Sequence, residues 1–411
     1  MKILHLSGTY EDDGASTSII NLNNSLKESK FKSNIFLLKS KTKSSKNVNY
    51  LNSNLISNIK FYLLSKIEYF FLKIIKKKKN FAFFNNIIES DIFYVIDKIK
   101  PDIVHFHWIP RLTNIKKISS IDTKVIVTLR DYWMITGGCN YPVNCDQFKK
   151  TCTICPHLKN LYLKKDISYF NFIKKRNFIL DNKNKLNIVV PNHEMYTELV
   201  NLNIFKKEQI HLIPNGINSD EFFPTDKNLS KEKLGLPLDK KIILFGAQDL
   251  DQEWKGIKYV VDLSKIIDKS KYLFISFGKI NSLTKKEIQK NQEYLDFGYI
   301  SSNKKLRELY NASDFFLFPS TIESFGKVIL ESIFCKTPVI AFNKYAAKDI
   351  ITHGVDGYLI DEYDARSFKI AIDYLNNNKN EEQLISLNKE KTKNYCMKNI
   401  SKLYSNLYNS V

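Results

Sequence analysis

Apolar residues along this 411-residue chain fall into two recurring patterns. Short unbroken runs bounded by glycine or polar positions read as buried parallel strands, and longer runs with apolar positions three or four apart read as helices. In the first half, residues 3–6, 34–38, 103–108, 125–129 and 187–190 are predicted strands, with helices over 15–26, 56–79 and 83–99. In the second half, 241–245, 272–277, 315–318 and 339–341 are predicted strands. Helices are predicted to open at Gly256 and to cover 304–311 and the region from 365 to 408. Strands alternating with helices build parallel sheets covered by helices, the α/β class. A chain of this length exceeds one ordinary core, so two domains are expected, 1–195 and 210–390. Residues 213–217, IPNGI, mark the joint, an apolar strand running into turn-forming Pro-Asn-Gly.

Most of the chemistry lies at residues 319–338, PSTIESFGKVILESIFCKTP. The buried run 315–318 delivers the chain to a Pro-Ser turn, and a helix opens near Gly326. Glu323 then sits above the strand's carboxyl end, with Ser324 and Phe325 leading into the helix. The backbone N–H groups of Gly326, Lys327 and Val328 form its N-terminus, which attracts phosphate because those groups lack intrahelical acceptors and the dipole is positive there. Glu331 cannot share a face with Glu323, since eight positions at about 100° each leave them roughly 80° apart. A Glu before a helix can also be only an N-terminal charge, and one in the second turn only a solvated or paired side chain. Two carboxylates flanking a phosphate cradle suit a phosphorylated sugar.

The string resembles the E-x7-E signature of the retaining glycosyltransferases of family 4 (group 1), flanks included: PS-x2-E-x-FG-x4-E. The resemblance is strong over residues 241–360 and patchier through the first domain, and it leans toward the exopolysaccharide and colanic-acid type of sugar transferase. It implies a GT-B fold, two Rossmann-like domains with parallel sheets facing across an interdomain cleft, residues 391–411 packing back on the first. It implies transfer of a sugar from a nucleoside diphosphate to a hydroxyl of a glycan or polyprenyl-linked acceptor, with retention and without a catalytic metal. On this resemblance Glu323 positions the donor sugar and supports an oxocarbenium-like state, while Glu331 holds the ribose. Ser324 to Val328 and Lys255 take the diphosphate, and Tyr299 and Ile300 line the nucleobase. Where the family carries an Arg after the glycine of the 246–255 loop, Ala247 follows Gly246, so only Lys255 is carried over.

In the first domain the loop after the first strand holds Gly8, Asp12, Asp13 and Gly14, a weak phosphate signal with Gly14 as its helix-side member. His107 ends the 103–108 strand, at the sheet edge where ligands collect, and the PD-x2-H-x-H-W string is similar to the family's cleft histidine. Arg130-Asp131 stand where many relatives carry His-Asp. The pair reads either as a bidentate grip on an anionic acceptor or donor phosphate, or as a local ion pair. Residues 136–156 crowd Cys139, Cys145, Cys152 and Cys155 together as C-x5-C-x6-C-x2-C. Three readings stay open for them: a structural zinc site, reduced buried thiols, or a disulfide under oxidising conditions. The loop resembles a T-G-G-C…C-x2-C-P insertion of polysaccharide-building members.

With 43% hydrophobic residues the chain can bury sizeable cores. The formal charge of +20 is mostly lysine scattered throughout. The exception is residues 59–80, IKFYLLSKIEYFFLKIIKKKKN, which read either as a helix on an anionic membrane or as a core helix with a basic end. No charge-free run is long enough to span a bilayer, and MKILHLSGTY is a short strand followed at once by glycine rather than a signal peptide. The expectation is a cytoplasmic protein, peripheral on the inner face of the cell membrane. Two other functions fit parts of the sequence. A same-fold nucleotide-sugar epimerase would need no acceptor, and a nucleic-acid-binding protein is suggested by charge alone, so no nucleic-acid partner is expected.

Overall fold

The computed structural model describes residues 1–11, 13–29, 31–39, 47–78, 81–85, 87–159, 164–378 and 380–411. Asp12, of the first glycine loop, and Lys79, of the basic run, lie outside the described residues. The chain forms two compact units, residues 1–214 with 400–411, and residues 215–399.

The first unit carries strands β1 (Lys2–Tyr10), β2 (Lys32–Leu38), β3 (Asn49–Tyr50), β4 (Ile103–Trp108), β5 (Lys124–Thr128), β6 (Leu186–Val190) and β7 (Ile210–Leu212). They pair in parallel in the order β3-β2-β1-β4-β5-β6-β7. Its helices are α1 (Gly14–Glu28), α2 (Leu55–Ile75), α3 (Ile92–Ile99), α4 (Ile167–Asp181) and α5 (His193–Leu202). The unit runs past the expected boundary at 195 because β7 pairs with β6, Ile188 opposite Ile210. The helix expected over 83–99 is only α3. Upstream of it Phe83 bridges Cys139 and the Phe84 N–H donates to the Gly138 carbonyl, which ties this stretch to the cysteine loop in extended form.

The second unit opens with α6 (Lys227–Lys233) and holds β8 (Lys241–Asp249), α7 (Ile257–Ser264), β9 (Tyr272–Lys279), α8 (Ser282–Asn291), β10 (Tyr294–Asp296), α9 (Asn303–Ala312) and β11 (Phe315–Phe318). α10 (Lys327–Phe334), β12 (Val339–Phe342), α11 (Tyr345–Ile350), β13 (Gly357–Ile360), α12 (Ala365–Asn377) and α13 (Glu381–Tyr395) complete it. Its all-parallel sheet has the order β10-β9-β8-β11-β12-β13. Alternation along β11 shows why a run of four apolar residues is needed. Phe315 and Leu317 enter the core packed by α7, α8 and α12, while Phe316 and Phe318 enter the core packed by α9, α10 and α11. Residues 391–411 are not one helix. α13 is anchored in the second unit by the buried Lys391–Asp356 ion pair, the chain breaks at Cys396, and α14 (Met397–Ser410) buries Ile400, Tyr404, Leu407 and Tyr408 in the first unit.

α2 differs from every other helix in what it shows to water. Only Glu68, Leu72 and Ile75 are buried, whereas Ile56, Ile59, Leu63, Ile67, Phe70 and Ile74 are between 50 and 82% exposed. Those six recur at three- and four-residue steps, so they form one stripe on the side away from the buried residues. Among the described residues no helix is long and apolar enough to cross a membrane.

Each sheet reverses its strand order once, at β1/β4 and at β8/β11. Loops leaving two such neighbours diverge, and ligands bind in the resulting notch. In the second unit the loops after β8 and β11 stay in contact: the Thr321 N–H donates to the Trp254 carbonyl at 2.8 Å, beside Gly256. A Cβ on Gly256 would stand 2.0 Å from the Pro319 oxygen, and the residue has φ +67°. Gly235 has φ +66° with open space around it. Gly235→Ala should therefore cost only the left-handed backbone, about 1 kcal/mol. Gly256→Ala should cost about 3 kcal/mol, because the loops must also part. Urea unfolding compares the two, and equal losses would show that the contact imposes nothing.

Candidate functional site

At the β8/β11 reversal Phe245 pairs with Leu317, so both chains leave the sheet side by side. The β8 chain makes one tight turn over residues 253–255 before α7, which places Lys255 over the notch. The β11 chain passes Pro319 and reaches Glu323. There the Lys255 ammonium donates to the Glu323 carboxylate, with both side chains less than one-fifth exposed. Lys255 also lies 5.9 Å from the centre of the Phe318 ring. Two residues separated by 68 positions meet because the sheet order makes their strands neighbours.

Gly326 then turns the chain into α10 with φ +71°, and a Cβ there would press within 2.8 Å of the Phe318 ring. Ser324 and Phe325 are buried beneath this turn, and Lys327 and Val328 are half-buried in the first turn of α10. Glu331 is buried on the other side of the helix. Its Oε2 accepts from the Tyr310 hydroxyl at 3.1 Å and its Oε1 pairs with Lys327 at 3.3 Å. Beside that carboxylate the Tyr310 phenol is pushed well above its ordinary range, first by burial and then by the negative charge.

Gly246 is not in a loop. β8 continues to Asp249, so Gly246 pairs with Phe277, whose ring fills the place a Cβ would take, at 2.4 Å. It is a packing glycine inside the strand. Tyr299 and Ile300 follow β10, Tyr299 60% exposed and Ile300 packed against the core.

In the first unit Gly14 is the opening residue of α1, with nothing near its Cβ position. His107 is fully buried rather than presented at the surface. Arg130 Nη2 donates to its Nδ1 at 3.0 Å. Because a guanidinium only donates, that Nδ1 must be the acceptor and Nε2 must carry the proton. Nε2 therefore donates to His5 Nδ1 at 2.9 Å, and the His5 proton sits on Nε2, which has no hydrogen-bond partner among the described residues. His105, opposite His5 in the register, bonds Thr128 at 2.7 Å and the Tyr408 hydroxyl at 2.8 Å. Burial first, and then the neighbouring rings and the Arg130 charge, hold His105 and His107 well below the usual imidazole range. Burial and Arg130 lower His5 to about 3. Three imidazole nitrogens within 4.8 Å could suggest a metal centre, but the adjoining guanidinium disfavours a cation there. His105 enters the sequence reading only as the first histidine of the H-x-H-W string, and His5 has no pattern there that marks it.

Asp131 accepts from Trp108 Nε1 at 2.8 Å and from the Trp133 N–H at 2.9 Å. Burial raises its carboxyl to about 6. Lys175, also missed in the sequence, is fully buried against Trp133 and lowered to about 7 by that burial. The four loop cysteines are free thiols. Among the described residues the histidine trio, and not these cysteines, brings its ligand atoms within 4.8 Å of one another. Cys139 and Cys155 pack with Leu72, Ile75, Phe81, Phe83 and Leu158. Burial raises Cys152 to about 11 and Cys155 to about 12, so both are protonated thiols near neutral pH.

Residues 226–392 match the family described as glycosyl transferases group 1. A D-inositol 3-phosphate glycosyltransferase of Xylanimonas cellulosilytica is 27% identical over 190 residues, 43% of this chain and 45% of that protein. The putative colanic acid biosynthesis glycosyl transferase WcaC of Escherichia coli is 22% identical over 263 residues, 61% of this chain and 62% of that one. The match thus spans just under half the length of the first of these relatives. Among solved structures, sucrose-phosphate synthase from Thermosynechococcus elongatus superposes with TM-score 0.71 at 16% identity, covering 100% of this chain and 99% of that one. HepE of Anabaena, in complex with UDP-glucose, gives 0.65 at 14% identity with both chains covered at 100%. Residues 226–392 thus carry the likeness to the glycosyl transferases group 1, and the chain's two parallel sheets have the GT-B fold.

Proposed function

We propose that this protein is a retaining glycosyltransferase that moves a sugar from a nucleoside-diphosphate sugar to a hydroxyl of a glycan or lipid-linked acceptor in surface polysaccharide assembly. The convergence of Lys255 and Glu323 at the β8/β11 reversal, next to the N-terminus of α10, carries the reading. When the bond from the anomeric carbon to the diphosphate oxygen breaks, negative charge grows on the diphosphate and positive charge on the sugar. The Lys255 ammonium and the N–H groups of Gly326, Lys327 and Val328 stabilise the first, and the Glu323 carboxylate stabilises the second. Charge placed in advance in this way is usually the largest catalytic contribution. Glu331, fixed by Tyr310 and Lys327, holds the ribose hydroxyls. Tyr299 and Ile300 line the base. No residue in this scheme calls for a divalent metal. The HepE complex with UDP-glucose supports the donor class, and WcaC supports the polysaccharide setting.

The acceptor side belongs to the first unit, where Arg130, held by His107, meets an anionic acceptor. α2 lies on the inner face of the cell membrane: its apolar stripe enters the headgroup boundary while Lys60, Lys66 and Lys73 stay with the anionic headgroups.

Glu323→Ala and Lys255→Ala should each lower kcat/KM by about 10²–10³-fold while the melting curve keeps its shape. Release of nucleoside diphosphate from a donor that stabilises the wild type measures this, and turnover within a factor of a few of wild type would overturn the assignment. Ile67→Ser with Phe70→Ser should weaken cosedimentation with phosphatidylglycerol-containing vesicles by at least about tenfold, because two large apolar side chains no longer leave water. An unchanged partition would remove α2 from the membrane.

A further inference from the structure

The first unit contains a cavity of about 640 Å³ between the inner edge of α2 and residues 81–84, within the size range of small-molecule sites. Its charged lining is Lys73, Lys76, Lys77, Arg111 and Lys159, with Glu68 as the one acid. Glu68 is buried, accepts the Asn85 N–H at 2.8 Å, and is raised to about 7 mainly by that burial, so near neutral pH it opposes the cations with only part of a charge. Lys76 and Lys77 each donate to one carbonyl, of Phe81 and Pro156, at 2.8 Å. An ammonium has three donors, so both retain capacity for an anion.

Two features join at this cavity. Lys73 and Tyr69 bring it to the solvent side of α2, beside the exposed apolar stripe. Arg111 brings it to the sheet: its guanidinium lies 5.7 Å from the Tyr10 ring and 5.2 Å from the Phe84 ring, and Phe84 packs edge-on against Trp108 at 5.0 Å. Tyr10 and Trp108 end β1 and β4, the pair at which the strand order reverses. The cavity's cations therefore lie between an apolar helix face and, through the ring contacts of Arg111 and Phe84, the strand ends where ligands bind.

We propose that this cavity binds the diphosphate headgroup of an isoprenoid-type lipid acceptor, with the lipid tail in the bilayer along α2 and the sugar-bearing end toward Tyr10 and Trp108. The site rests on the transferase reading above and names its acceptor class. An ordinary anionic phospholipid brings one phosphate, which surface lysines can meet without a walled cavity. A second copy of the chain would set Lys60, Lys66 and Lys73 against their own equivalents. A lipid diphosphate matches both the density of cations and the neighbouring apolar stripe.

The test is flotation of the full-length protein with phosphatidylcholine vesicles doped either with undecaprenyl diphosphate or with phosphatidylglycerol at matched charge. The expected result is binding at least about tenfold tighter to the diphosphate vesicles, with the preference removed by inorganic pyrophosphate. Lys73→Gln with Lys159→Gln, both on the surface, should remove it as well. Ala82→Phe, which fills the cavity without changing charge, should remove the preference and leave phosphatidylglycerol binding in place. Equal affinity for the two vesicles, or a preference that survives Ala82→Phe, overturns the site. Nucleotide-sugar thermal shifts on the same protein separate the two readings. A donor shift without lipid preference sinks only this site. Lipid preference without any donor shift sinks the transferase reading and with it the lipid's role as acceptor.

Discussion

The structure of the second unit turns on the contact between Lys255 and Glu323. A parallel sheet whose strand order reverses must send two neighbouring loops apart, and the notch between them is what a ligand can use. Here the loops are brought back together by one ion pair and one glycine that lets a carbonyl approach. As a source of stability such a pair is weak, because two partly desolvated charges give up hydration worth about as much as their attraction. Its value lies in readiness. In the proposed transfer, an ammonium and a carboxylate already held at one place would face the two opposite charges of a separating sugar and diphosphate, an arrangement that depends on Gly256 keeping the loops in register.

The first unit meets the same topological problem with a different device. His5, His107 and Arg130 form a chain of hydrogen bonds whose direction is set by arginine's inability to accept. Being buried and beside a cation, the imidazoles stay neutral, and a neutral imidazole can receive the guanidinium's N–H where an imidazolium would repel it. The histidines are thus better suited to aiming Arg130 than to exchanging protons with a substrate. This arrangement also gives Arg130-Asp131 separate duties: the arginine joins the histidines, and the aspartate orders Trp108 and the turn at Trp133.

How far the sequence could be read depended on whether a signal was local. Residues 315–331 were legible because strand, turn, left-handed glycine and helix follow each other without interruption, and the structure places each within a residue or so. Gly246 misled because a glycine after an apolar run looks like a strand end. Only the Phe277 ring, contributed by the next strand, shows that the glycine is there to admit it. The 83–99 stretch misled for a related reason: its apolar spacing suits a helix, yet Phe83 and Phe84 are claimed by Gly138 and Cys139, more than fifty positions away. The spacing of the four cysteines could not show that three of them are buried, two inside an apolar cluster with Phe81 and Phe83. Lys175 and His5 carried no pattern of their own.

α2 shows the limit from the other direction. Its sequence is apolar nearly all round, and that pattern alone cannot separate a core helix from one at an interface. The structure divides it: a narrow face of three buried residues suffices to fix it to the first unit, and the wider apolar stripe is left outside. In water that stripe is a standing hazard for aggregation. The lysines beside it limit self-association, since two such faces meeting would bring like charges together in a dry contact. They do the reverse at an anionic surface, where the same charges draw the helix down and the stripe finds hydrocarbon. A helix with so exposed an apolar stripe beside lysines suits the membrane boundary proposed for it, and on that proposal the cation-lined cavity on its inner edge opens where a membrane-anchored substrate would first arrive.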